Sequence, residues 1–494
     1  MLPTPLQGTY QQYNAHFYEV SEVFFTPDSY QRAIIRGDTF DRFVLHSALL
    51  RLIDPVRGKP TRSTLDENPD GSFLGAWQLQ QKFLDSFALI CSTSSSGAET
   101  ATAVCLETYN QVGNILRLAR NHGLTPEDLA GLKRVLQVLQ EASRKEKPST
   151  QAETEILQLV AELDKGRILS IAERIKKRGI LRFLQKTQSE VHDSQLQSEK
   201  FRIWLENCPF TASPSLIQNW TGATTVKLIH WASEARWHYA EQLRTLLKLD
   251  ESQSQAWLDN LHKVARYHSA IKSMVKFAVK EPGIFVKIVI RPINAPNPRR
   301  FKFPNDEAPL LAVVRTLVGK DTNMTMEKLE KHLGTQDVEA RLRKACLLKL
   351  TLHAEMQIVV FYEGNPGLAP HLRLIGTSKK ACFLCDKYLR HHPLRLQASA
   401  CHQKIYPSWM PPPYYKVTGK STKLPFIKLS GDIEKLTRQE LKVALTAPLR
   451  PPNYDSTAGP SLTLTATVPT ELRSLRETRA EPTVGDDRFS EDSD

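Results

Sequence analysis

Apolar positions recur every three or four residues through most of the first 280 positions, and that period is helical. "GDTFDRFVLHSALLRLID" and "LGAWQLQQKFLDSFALICS" carry it within residues 1–145, which read as a mostly helical first region. "CSTSSSGAETATA", from Cys91, is small and polar and reads as a loop. Residues 141–155, "EASRKEKPSTQAETE", combine charge and a proline with no apolar period, so a linker is expected there. Residues 156–280 read as helices again. In them "KGRILSIAERIKKRGILRFLQK" predicts an amphipathic helix packed by its apolar side; its basic side offers membrane-surface or nucleic-acid contact, or a nuclear signal, as the other use. "VKLIHWASEARWHYAEQLRTLLKL" and "SQAWLDNLHKVARYHSAIKSMVKFAV" predict an antiparallel helix pair joined by a polar turn around Asp250. His230, His238, His262 and His268 lie on that pair without partners at ligand spacing and read as structural or surface residues.

The pattern changes at Pro282-Gly283. "IFVKIVIR", residues 284–291, is a nearly continuous β-branched run and predicts a buried strand. Helical "MEKLEKHLGTQDVEARLRKACLLKL", an apolar run at "MQIVVFYE", the strand "LRLIG", a helix from "CFLC" and a strand-plus-helix at "LPFIKLSGDIEKLTRQELKVAL" follow. That alternation is the mark of an α/β layered domain over residues 283–446. Residues 447–494, rich in Pro, Thr, Ser and late acidic residues, read as a disordered tail.

At 494 residues the chain is long enough for roughly three domains, and 41% hydrophobic with 24% charged residues is an ordinary globular composition. No apolar run approaches the roughly 20 residues of a membrane span, and "MLPTPLQGTYQQYNAHFYEV" lacks the pattern of a secretory signal. The expectation is an intracellular protein, cytoplasmic or nuclear, with no membrane partner. An odd count of seven cysteines, with Cys91, Cys105, Cys208 and Cys346 isolated, fits reduced thiols better than disulfides. The net charge of +13 permits attraction to nucleic acid, but it is spread along the chain, and a solvated basic surface explains it equally well.

Candidate chemistry is concentrated in "TLHAEMQIVVFYEGNPGLAPHLRLIGTSKKACFLCDKYLR", residues 351–390. Zn2+ takes thiolate and imidazole ligands, and a catalytic site keeps three of them with one open position. Cys382 and Cys385, two residues apart, converge if they sit on the first turn of a helix, whose N-terminus also favours thiolate. His353, one strand earlier, is the candidate third ligand. Glu355, two positions on, is placed to relay a proton as general acid and base. A redox role for the Cys pair leaves His353 and Glu355 unexplained. A closed structural zinc site, with His402 or Cys401 as fourth ligand, is the alternative; it makes the chain a non-catalytic interaction module. Candidates for a substrate pocket are His402, Lys379 and Trp409, while His391 and His392 read as exposed.

His353-Ala354-Glu355 with Cys382-Phe383-Leu384-Cys385 matches the H-x-E and C-x-x-C signature of zinc deaminases, with Ala381 where most have proline. "IGTSKKACFLCDKYL" and "CHQKIYPSW" resemble the OTT_1508-like deaminase family, found largely in fungi, although Cys401 stands where glycine is expected. The resemblance covers about residues 283–430. It implies a cytidine-deaminase-like three-layer sandwich with a mixed sheet, preceded by a mostly α-helical N-terminal half open to protein partners. It implies a zinc-dependent hydrolase that removes an exocyclic amine from a nucleobase, in a nucleoside or in nucleic acid. His353 and Glu355 would share one helix, and Cys382 with Cys385 would open the next. Propensity alone makes "MQIVVFYE" a strand; its apolarity on all sides suits a helix buried between layers, and helix is the expectation.

Overall fold

The structure is a computed structural model describing residues 32–67, 75–96, 98–109, 113–191, 199–212, 216–247, 255–303, 308–415 and 423–443. The expected tail at 447–494 and the turn around Asp250 lie outside the described residues. The elements that position the site are α1 (Asp38–Ile53), α2 (Ala76–Ile90), β1 (Thr102–Tyr109), β2 (Gly113–Arg120), α3 (Pro126–Ser143), α4 (Ser149–Leu163), α5 (Lys165–Lys177), α6 (Gly222–Trp237) and α7 (Ala256–Lys280). They continue with β3 (Ile288–Pro292), α8 (Ala354–Gly364), β4 (Leu374–Thr377), α9 (Phe383–His391), β5 (Gln397–Ala398) and α10 (Lys423–Val443).

Five strands form one mixed sheet in the order β3-β2-β1-β4-β5. β1 and β2 pair antiparallel as a hairpin, with Thr102 opposite Arg120. β3 runs parallel to β2, β4 antiparallel to β1, and β5 parallel to β4. Side chains alternate across these strands, so the sheet has two apolar faces. Val104, Leu106, Leu116, Leu118, Ile288 and Ile290 enter one core with Phe83 and Phe87 of α2 and Met274 and Phe277 of α7. Ala103, Cys105, Ala119 and Ile375 enter the other, with Met356 and Tyr362 of α8, Leu384 of α9 and Phe43 of α1. The result is the expected three-layer α/β/α sandwich.

Several local expectations are corrected. The sheet does not begin at residue 283: its two longest strands, β1 and β2, come from the region read as mostly helical. Helices of the 156–280 region pack outside α2, which itself lies on the sheet, because α7 turns a broad apolar face onto α2. The proposed linker at 141–155 is a tight bend between α3 and α4. Its charges bond one another: Arg144 reaches Glu146 at 2.7 Å, and Lys147 reaches Glu141 at 2.7 Å and also Glu155. "IFVKIVIR" is not one buried strand. Pro282–Phe285 forms a helical turn, and β3 lies at the sheet edge with Val289 exposed between buried Ile288 and Ile290. "LPFIKL…VAL" contains no strand among the described residues; Phe426, Leu429 and Ile433 are the buried stripe of the single helix α10. α5 buries Ile168, Leu169, Ile171, Ala172 and Ile175, as expected of an amphipathic helix packed by its apolar side. No helix among the described residues is long and apolar enough to cross a membrane.

Candidate metal centre

"MQIVVFYE" is helical because residues Met356 to Tyr362 are all buried: α8 runs between the sheet and the outer helices, and burial on every side outweighs β propensity. The Asn365-Pro366-Gly367 stretch ends it. His353 occupies the N-cap of α8 in extended backbone conformation, but its side chain caps nothing and is left available. The helix start is satisfied from elsewhere instead. Asn121, just past β2, accepts the Ala354 N–H at 2.8 Å, and the Gln357 amide donates to the carbonyls of Arg120 and Leu352 at 3.1 and 3.0 Å.

Cys382 is the N-cap of α9, and its sulfur accepts the Cys385 N–H at 3.3 Å. Two helix N-termini therefore meet at the same point, and both favour negative charge there. The segment Ala400–Met410 stitches them together. Ala381 N–H donates to the Ala400 carbonyl at 2.8 Å and His402 N–H to the Ala381 carbonyl at 3.0 Å, while Thr351 N–H donates to the Ser408 carbonyl at 2.9 Å and Met410 N–H to the Thr351 carbonyl at 3.0 Å, holding the approach to His353.

The outcome is a tight cluster. His353 Nδ1 lies 3.6 Å from Cys382 Sγ and 3.4 Å from Cys385 Sγ. Ligand atoms of His353, Cys382 and Cys385 all fall within 4.8 Å of one another. A tetrahedral zinc with ordinary Zn–S and Zn–N bonds separates imidazole nitrogen from thiolate sulfur by about 3.6 Å, so the donor set fits that ion. Among the described residues no fourth His, Cys, Asp or Glu joins this group. Glu355 stands beside it, its carboxylate oxygen 3.8 Å from Cys385 Sγ. Both cysteines are buried, whereas His353 and Glu355 are only partly so and mark the side open to solvent.

Burial and charge set the protonation states. Burial opposes ionisation of Cys382, but the hydrogen bond from Cys385 and the His353 imidazole beside it prevail and hold its thiol well below the ordinary range. Cys385 is pushed well above that range by burial and by the Cys382 charge. Burial raises Glu355, with Cys382 adding to the rise and His353 opposing it. A carboxyl raised in this way holds a proton more readily than a solvated one.

The remaining sequence candidates divide. Lys379 is partly buried, with its charge close enough to His353 to disfavour imidazolium. His402 is buried, its Nδ1 accepting the Lys404 N–H at 3.0 Å, and burial lowers its pKa to about 4. Neither His402 nor Cys401 belongs to the ligand cluster. Trp409 does not line a pocket. It is fully buried with Phe43 and Tyr388 at 5.7 and 5.9 Å, so it offers no face to a substrate, and its proximity favours ionisation of Cys385. His392 is buried, contrary to expectation, and bonds Glu363 at 2.7 Å. Sequence reasoning missed Asn121 and Gln357, whose roles depend on strand–helix proximity. It also missed Tyr406, whose partly exposed ring lies 6.2 Å from His353 and 5.4 Å from His402.

A mixed sheet covered by helices on both faces, with one imidazole and two cysteines meeting at two helix N-termini, defines a deaminase-like α/β domain. The OTT_1508-like deaminase family model matches residues 352–413, the segment that carries His353, Glu355, Cys382, Cys385 and "CHQKIYPSW". No curated protein and no solved structure matches the chain.

Proposed function

We propose that this protein is a zinc-dependent hydrolytic deaminase, replacing an exocyclic amine of a nucleobase by oxygen, in a free nucleoside or in nucleic acid. The observation that carries the reading is the meeting of His353 with Cys382 and Cys385, with the Glu355 carboxylate 3.8 Å from one of the sulfurs. His353, Cys382 and Cys385 would hold the ion. A zinc ion in such a site acidifies water and so supplies a nucleophile at neutral pH. Glu355, raised by burial and partly open to solvent, would take a proton on the solvent side and return it to the departing amine. Lys379 and Tyr406, both partly exposed, lie near His353, and the Tyr406 ring would be available to stack on a base.

A structural-zinc interaction module is the competing reading, and it needs a fourth protein ligand; His402 and Cys401 stand outside the cluster. The experiment is metal analysis of the purified chain followed by ammonia release from nucleosides and single-stranded oligonucleotides, for wild type and Glu355→Gln. The expected result is about one zinc per chain in both proteins, with turnover in the wild type lowered at least about 10²-fold by the substitution. Loss of zinc in Glu355→Gln would make Glu355 a ligand, and absence of ammonia release from the zinc-loaded wild type would favour the module.

A further inference from the structure

Away from the metal centre, three cations share one carboxylate inside the protein. Asp66 ends a short 3-10 turn, Thr64–Asp66, and is buried. Arg236 of α6 and Arg266 of α7 both close on the same Asp66 oxygen, at 3.1 and 2.6 Å. Lys380 Nζ stands 4.0 Å from the other oxygen, which has no hydrogen-bond partner. All three cations are buried, and among the described residues no second carboxylate lies within ion-pair distance of any of them. His262, against the same group, is lowered to about 3 by burial and adds no charge at neutral pH, so the two guanidiniums alone outnumber the single Asp66 carboxylate.

Buried charge left over in this way is costly, because attraction to a partner is what offsets desolvation. The donors are also incompletely used. Lys380 Nζ makes no hydrogen bond among the described residues, and Arg266 bonds Asp66 through Nε and one terminal nitrogen only. Guanidinium forks and an ammonium match a compact oxyanion with several acceptor oxygens better than a single halide ion.

We propose that Lys380, Arg266 and Arg236 form a binding site for an oxyanion of the phosphate class. Its position gives it a consequence: Lys380 lies on the loop leading to Cys382, while both arginines lie on the helices packed outside α2. A bound oxyanion would tie those helices to the ligand-bearing loop. The site stands whether or not the metal centre is catalytic.

The test is thermal unfolding of the full chain in inorganic phosphate against chloride at matched ionic strength. Phosphate should raise Tm by about 2 °C at tenfold excess over Kd. Lys380→Met should abolish the rise and Lys380→Arg should keep it. Asp66→Asn, which removes the internal counter-charge, should enlarge it. Equal Tm in phosphate and chloride, or an undiminished rise in Lys380→Met, would overturn the proposal. Equilibrium dialysis of the wild type with radiolabelled phosphate decides the matter if a variant does not fold: about one ion per chain supports the site, and none refutes it.

Discussion

Asp85 ties the sheet to α2 a few residues ahead of the cysteine loop, and its burial makes a pH-dependent prediction. One carboxylate oxygen accepts the Thr377 N–H at 2.8 Å and the other accepts the Thr64 hydroxyl at 2.6 Å. Burial raises its pKa from 3.8 to about 6, with the hydrogen bonds from Thr64 and Thr377 opposing the rise. The native protein thus binds this proton more tightly than the unfolded chain does. The resulting stabilisation is fully present below about pH 4 and is lost as pH rises through about 6. A rise from 3.8 to about 6 corresponds to about 3 kcal/mol. Asp85→Asn retains an acceptor for Thr377 N–H and cannot ionise. In denaturant unfolding between about pH 4 and pH 7, the wild type should lose about 2 kcal/mol relative to Asp85→Asn, most of that total. Groups titrating elsewhere are common to both proteins and cancel in the difference. A difference that stays constant across this range would refute the reasoning, and so would one that moves in the wild type's favour as pH rises.

Three other predictions test the framework around the centre. Cys385→Ser exchanges a thiolate for a hydroxyl that binds zinc poorly, so metal analysis should find well below one zinc per chain. Asn121→Ala strips the Ala354 N–H of its buried acceptor; chemical denaturation should show a loss of about 1–3 kcal/mol, and competition with a chelator a weaker hold on zinc. Gly376→Ala would drive a Cβ into the Leu84 backbone of α2, so the variant should lose several kcal/mol in thermal denaturation or fail to accumulate as folded protein.

The helices were legible because their apolar period is local: α1, α2 and α7 are recoverable from spacing alone. So were the two candidate pairs, since the Cys-x-x-Cys and His-x-Glu spacings are each short enough to be set by one helix turn. The hairpin of β1 and β2 was not legible. Thr102 to Tyr109 alternates only weakly between polar and apolar, because both faces of a central strand are covered and Cys105 and Ala103 serve as well as larger residues. The "MQIVVFYE" run was legible by pattern though not by propensity: its residues favour strand, but apolarity on every side predicted the buried helix that forms. The buried Asp66 cluster had no signature at all, for its members are scattered between residues 66 and 380.

From sequence alone follow the two short candidate motifs, His353-x-Glu355 and Cys382-x-x-Cys385, together with the helical period of most of the chain, since both are matters of near-neighbour spacing. The tertiary fold alone decided that the donors lie within 4.8 Å of one another and which distant residues hold them there. It also decided that helices from the first half close one side of the sheet. These are long-range contacts, selected by how whole apolar faces bury against one another, and no local pattern encodes them.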